Sequence, residues 1–261
     1  MLQNITPDWN VSSSLKVFST TRIGGVSEAP YDALNLGLHV RDKEVHVRKN
    51  RELLCNAIKC PEEPMWLNQV HGVDVAFIDR LQTFNEPLTA DGSFTREPNK
   101  VLSILTADCL PVVVANDTGS AFAIIHAGWR GLVSGVLQSG LAHFSEHDEL
   151  HAWFGPAIGP TAFEVGSEVR DAFVARDQEN ASAFTSSDAC GLASSGDSDN
   201  SVCSEKYMAD IYSLARIELN RHRRVAVTGG DYCTHTDSDL FHSYRRDGVQ
   251  SGRMATLAWI E

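Results

Sequence analysis

Three residues of metal-ligating type adjoin expected strand ends or turns: Cys109 in TADCLP and His126 in IIHAGWRG, each at the edge of an apolar run, and His71 upstream in NQVHG. Zinc takes imidazole nitrogen and thiolate in a roughly tetrahedral shell, and a catalytic site keeps one position open. Two histidines and one cysteine would supply three ligands and leave the fourth free. No compact CxxC or HExxH signature supports them, so by pattern alone separate structural roles compete with a shared ion. Cys109 has a second chemical reading. A thiolate beside His126 would be a Cys–His nucleophilic dyad, which survives chelators and fails on alkylation, whereas a metal site behaves the other way round.

His126 is followed by AGWRGL, with two glycines between an apolar run and a helical pattern. Backbone amides at such a junction, together with the Arg130 guanidinium, suit an anion such as phosphate, though most glycine-rich turns are only turns. SYRRDG (243–248) places Arg245 and Arg246 beside Tyr244. This is either a second anion contact or a surface turn closed by Asp247. Cys233, His235 and His242 offer another donor set, against which stands a reading as solvated loop histidines. Trp66, Trp129, Trp153 and Trp259 suit the core or a pocket wall, and Trp129 suits the wall best because it lies between His126 and Arg130.

The elements needed to position these groups follow from periodicity. Strands are expected at 15–21, as two short pieces around His71 within 65–79, at 101–108, 110–117, 121–127, 150–159, 224–233 and 254–261. Helices are expected at 42–59, 130–146, 166–176 and 206–222, the third opened by a capping box from Ser167 to Arg170. The apolar runs at 101–127 read as buried central strands. Residues 177–204 are rich in Ser, Asp and Gly and read as a mobile insertion. Strands and helices without strict alternation predict a mixed α+β fold, central sheets flanked by helices, in a single domain over 1–261.

Composition narrows the function classes. The chain has 261 residues and a formal net charge of −12, which disfavours nucleic acid and anionic membrane as partners. An anionic substrate would need a local basic pocket. No basic-then-apolar leader opens the sequence and no apolar run reaches spanning length. The six cysteines are scattered, which predicts reduced thiols in a cytoplasmic protein.

Seven stretches in order, FSTTRIGGVS, YDALNLGLHV, NQVHG, TADCLPVVV, HAGWRGL, GPAIGPTAFEVG and SYRRDGVQSGRMA, run from residue 18 to the C-terminal region. Together they resemble the laccase-domain family, also called multicopper polyphenol oxidoreductases, purine nucleoside phosphorylases or peptidoglycan-editing factors. DGSF (91–94) departs from the family's Asp-Ala start at a place expected to lie away from the ligands. The resemblance implies a single domain with bound zinc or copper, held by His71, Cys109 and His126. It implies phosphorolysis of adenosine, inosine and methylthioadenosine to free base and ribose 1-phosphate, with adenosine deamination as an additional activity and with editing of a peptidoglycan precursor or copper-dependent phenol oxidation as alternatives.

A multi-copper array needs many histidines, and only two accompany Cys109 in strong motifs, so Lewis-acid chemistry suits the set better. Phosphorolysis would use Cys109 in the centre and Arg130 and Arg246 on phosphate. Asn35 in LNLG is a candidate for the ribose or base, or a turn-stabilising residue. Asp108 is the carboxylate nearest in sequence for proton transfer, although alternation along a strand would turn it away from Cys109. Glu164 is a further candidate carboxylate. The expected partners are small molecules, acting on a monomer. A metal-dependent binding module without turnover is the non-enzymatic alternative.

Overall fold

The computed structural model describes residues 2–79, 86–187, 205–221 and 223–261. Along the chain run β1 (Asn4–Ile5), β2 (Leu15–Thr20), α1 (Glu44–Ile58), β3 (Val75–Ile78), β4 (Gly92–Thr95), β5 (Leu102–Thr106), β6 (Leu110–Asn116) and β7 (Phe122–Ala127). They are followed by α2 (Trp129–Ser134), α3 (Val136–Leu141), β8 (Leu150–Phe154), β9 (Glu164–Gly166), α4 (Ser167–Arg176), β10 (Phe184–Ser186), β11 (Lys206–Ala209), α5 (Ile211–Asn220), β12 (Val225–Gly229), α6 (Tyr244–Asp247) and β13 (Met254–Ile260).

The strands form three sheets, ordered β12-β8-β6-β7-β4-β3, β1-β2-β13-β5 and β10-β11-β9. The fold is mixed α+β in one domain, as the sequence predicts. Alternation of side chains along each strand explains the layering. In β6, Val112 and Val114 pack with α2 to α5, while Val113 and Ala115 face the four-stranded sheet. In β13, Ala258 and Ile260 join that inter-sheet core, while Ala255, Leu257 and Trp259 pack with Leu54 and Ile58 of α1. The order is therefore helix, four-stranded sheet, six-stranded sheet, helices. Strands buried on both faces are mostly apolar, with isolated buried polar residues such as Ser103 and Thr106 in β5, which is why 101–127 reads as near-continuous apolar runs.

Several expected boundaries differ. The helix over 130–146 is two helices, because Gly135 takes the left-handed conformation (φ 103°) between α2 and α3. The helix over 206–222 begins only at Ile211. Asp210 caps it, its carboxylate accepting from the Tyr212 and Ser213 amides, and Lys206–Ala209 is strand instead. Ser167 makes no capping box; Gly166 is the N-cap, without a side-chain bond. The strand expected before His71 is reduced to single bridges at Met65 and Asn68.

The first part of the stretch expected as a mobile insertion, 177–187, is built into the fold. Residues Gln178–Ala183 form a 3-10 helix, Phe184–Ser186 form β10, and Asn180 is fully buried. Asn180 donates to the Phe173 carbonyl and to the buried Glu218, which also pairs with Arg176 and Arg221. The remainder of the insertion, 188–204, lies outside the described residues.

Candidate metal centre

The antiparallel pairing of β6 with β7 sets Leu110 opposite Ala127 and Pro111 opposite His126. Cys109, just before β6, therefore lies beside the end of β7 that carries His126. His71 arrives from the loop ahead of β3. Donor atoms of His71, Cys109 and His126 all fall within 4.8 Å of one another. The Cys109 Sγ to His71 Nε2 distance is 3.7 Å. Tetrahedral zinc with bonds of about 2.0–2.3 Å sets neighbouring ligand atoms about 3.3–3.8 Å apart, so the trio fits with small adjustments.

Asp91 organises two of the three. Its carboxylate accepts from His126 Nδ1 at 2.8 Å and from the amides of Val70, His71 and Gly72 at 3.2, 2.9 and 2.6 Å. Three successive amides converging on one carboxylate require the chain to curl, and His71 accordingly adopts φ 60°. Such a conformation costs a non-glycine residue on the order of 1–3 kcal/mol, offset here by buried, charge-assisted hydrogen bonds. With Nδ1 committed to Asp91, His126 presents Nε2 to the centre, the arrangement by which carboxylates orient metal-binding imidazoles. Asp91 belongs to DGSF, so the expectation that this stretch stays away from the ligands is corrected. Its signal was a single aspartate entering a strand, which says nothing of contacts to residues 71 and 126.

Gly128 completes the cradle. A Cβ there would lie 2.7 Å from His71 Cδ2 and 3.1 Å from Cys109 Sγ, so any side chain would intrude between these two candidate ligands. Burial pushes the Cys109 thiol up, but the His126 charge and hydrogen bonds from both histidines outweigh it and hold the thiol well below its usual range. Burial pushes the His126 imidazole down, and the Cys109 charge with the Asp91 hydrogen bond raises it above its ordinary value. The thiolate form that a metal requires is thus already favoured. Cys55, Cys60, Cys109 and Cys233 are free thiols, and Cys190 and Cys203 lie outside the described residues.

The trio opens into a cavity of about 770 Å³ whose charged lining residues are Arg51, Arg130, Arg245, Arg253 and Asp108. None of these four arginines is ion-paired with a carboxylate among the described residues, whereas Arg22, Arg48, Arg170, Arg176, Arg221 and Arg246 are. The basic pocket that an anionic substrate would need is therefore present in a chain of net charge −12. Trp129 forms part of the wall, with the Arg130 guanidinium 4.6 Å above its ring.

The other sequence candidates are placed as follows. Asp108 (φ 86°) lines the cavity, but its carboxylate accepts from Thr234 Oγ1 and the Arg245 amide, both at 2.6 Å. It ties the α6 segment to the start of β6. Asn35 is buried: its oxygen accepts from the Gly37 and Arg253 amides and its nitrogen donates to Asp42, the turn-stabilising role. Arg246 is turned away, spending its guanidinium on Asp247 and the carbonyls of Thr234, His235 and Phe241. Arg245, one residue earlier, takes the cavity position instead. The Glu164 side chain accepts from Ser187. His242, expected as a solvated loop histidine, is fully buried.

Residues 16–261 match the family described as multi-copper polyphenol oxidoreductase laccase. A Pseudomonas aeruginosa protein named purine nucleoside phosphorylase PA4543 is 46% identical over 258 residues, covering 98% of each chain. The Shigella flexneri purine nucleoside phosphorylase YfiH is 44% identical over 264 residues, covering 100% of each. The crystal structure of the Neisseria meningitidis protein NMB0706 superposes with a TM-score of 0.85 at 40% identity, covering 99% of both chains. Three ligand-type side chains on one buried hairpin and its neighbouring loop, in a fold shared along the whole chain, thus identify this protein as a member of the multi-copper polyphenol oxidoreductase laccase family.

Proposed function

We propose that this protein is a metal-dependent purine nucleoside phosphorylase. The carrying observation is the His71–Cys109–His126 cluster opening into a cavity with four arginines unpaired by carboxylates. Relatives of full-length similarity bear the name purine nucleoside phosphorylase. His71, Cys109 and His126 would hold a zinc ion, which would supply Lewis acidity at this site, and copper would suit the same donors.

The chain's own residues account for the remaining work. Arg130 and Arg245 meet the phosphate, whose charge has few competitors in this pocket; preorganised donors in such a site are the strongest electrostatic contribution available. Asp108 acts as a positioning residue, fixing the Arg245 backbone rather than transferring a proton. Trp129 offers a flat apolar wall for the base. The His126 proton stays with Asp91 on Nδ1, which leaves Nε2 free. Adenosine deamination would proceed at the same centre. One three-ligand cluster among the described residues is too few donors for a multi-copper array, which favours transfer or hydrolysis over phenol oxidation.

Purified, zinc-loaded protein incubated with adenosine and phosphate is expected to release adenine and ribose 1-phosphate, with inosine where deamination competes. Chelation should abolish turnover and zinc should restore it. A fully loaded preparation yielding none of the three products overturns the reading. Alkylation that stops turnover in a preparation insensitive to chelators would establish the Cys–His dyad instead.

A further inference from the structure

Arg51, His39 and Arg253 line the same cavity as Arg130 and Arg245, and they converge around the loop that follows Asn35. Arg51 reaches across from α1, its Nε and Nη2 donating to the Leu36 carbonyl at 3.0 and 2.8 Å. Its guanidinium lies 3.8 Å above the Trp66 ring, which also lines the cavity. Arg253 packs against the next residue: a Cβ on Gly37 would stand 2.8 Å from Arg253 Cγ and 3.4 Å from His39 Cε1. The Leu36 amide donates to the Arg253 carbonyl, and the Arg253 amide donates to Asn35. Two guanidinium groups from separate elements and an imidazole are thus gathered around the Leu36–His39 loop.

The cluster is continuous with the metal centre. Burial lowers the Arg253 guanidinium while the charges of Cys109 and Asp108 act in the opposite sense, so Arg253 stands within their field. Burial and the charges of Arg253 and Arg51 lower the His39 imidazole in turn. Burial takes Arg51 down to about 10, and the Glu63 charge opposes this without a contact close enough to be an ion pair. Evolution of a folded chain tolerates buried cations of one sign when a ligand supplies the opposite charge. One phosphate ion at Arg130 and Arg245 leaves this second group without an anion in contact among the described residues. The cavity, at about 770 Å³, also lies in the upper part of the range of roughly 300–1,000 Å³ for ligand pockets.

We propose that Arg51, His39 and Arg253 form a second anion subsite that takes the phosphate monoester of a purine nucleoside 5′-monophosphate. The inference rests on the phosphorylase reading for its purine and goes further in giving the ligand a phosphate of its own. Arginine's planar fork suits a terminal phosphate, and the Trp66 ring holds the Arg51 fork in plane.

The test is calorimetric titration of the zinc-loaded full chain with adenosine monophosphate and, separately, adenosine. The monophosphate is expected to bind at least tenfold more tightly. That ratio should fall toward one in Arg51→Gln and in Arg253→Gln, two variants on separate elements, so that loss of one fold leaves the other informative. Equal affinities for the two ligands in the wild-type chain overturn the proposal without any variant. A wild-type preference that persists unchanged in both folded variants also overturns it, assigning the phosphate to Arg130 and Arg245. Turnover of adenosine with no preference for the monophosphate leaves the phosphorylase reading standing and removes this one. Tight binding of the monophosphate lost in both variants, with no turnover of adenosine, does the reverse.

Discussion

Asp91 accepts a hydrogen bond from His126 Nδ1 at 2.8 Å, and both residues are buried. The same carboxylate holds the His71 loop by three amides. One side chain thus sets the orientation of one proposed ligand and the backbone conformation of another, and the geometry of the centre depends on it.

Replacing Asp91 by Asn keeps the volume but removes the charge and half of the acceptor capacity. Zinc affinity is expected to fall about 10- to 100-fold, the usual effect of losing a carboxylate behind a metal-binding imidazole. Competition with a chelator of known affinity measures it. An affinity within twofold of wild type would show that His71 and His126 are positioned without Asp91.

Gly128→Ala probes the cradle directly. Gly128 has φ −65° and ψ 153°, open to any residue, so the backbone bears no strain. The added methyl would contact His71 Cδ2 and Cys109 Sγ. Metal affinity should drop more than tenfold, while the metal-free thermal midpoint moves little. A midpoint that collapses together with metal binding would point to a packing role for this position.

Glu218 is fully buried and joins Arg176, Arg221, Gln138 and Asn180. Glu218→Ala leaves Arg176 without its carboxylate and Arg221 with Asp177 alone, and breaking a buried pair from one side typically costs roughly 3–5 kcal/mol. Urea unfolding of the metal-free chain should show that loss, with 178–183 becoming susceptible to proteolysis first. A loss under about 1 kcal/mol would mean the network is incidental.

His242 provides a pH dependence. Burial, with the charges of Arg22, Arg253 and Arg246 outweighing Asp247, takes the imidazole down to about 3, and neither ring nitrogen has a partner among the described residues. It is therefore neutral when folded. Below the ordinary value of 6.5 the unfolded chain binds a proton that the folded chain refuses, so stability falls as pH drops through 6.5 and keeps falling toward 3. Between pH 7 and 4.5 this one group costs about 2–3 kcal/mol. His242→Phe, which fills a similar ring-shaped space without titrating, should flatten that part of the stability profile. An unchanged slope would assign it to other groups.

Much of the centre was legible from residue types. His71, Cys109 and His126 stood out because few side chains bind metals, and because Cys109 and His126 adjoined apolar runs that read as buried strands. The strands themselves were legible because those buried on both faces have few polar positions. Asp91 was not legible, since its contacts lie 20 and 35 residues away. The ordered start of the Ser/Asp-rich segment was hidden for a similar reason: Asn180 is held by Glu218, and composition does not show a partner 38 residues distant.

The sequence by itself determined which donors exist, which runs must be buried, and the family to which the chain belongs. Tertiary structure decided which polar groups face the cavity. Arg245 and Arg246 are neighbours of one type, yet the first lines the pocket and the second is bound to Asp247 and three carbonyls. Asp108, 137 residues away, holds the Arg245 amide and so fixes that choice. Side-chain direction in a four-residue helix is set by what the fold brings against it, and no local pattern in the chain encodes that.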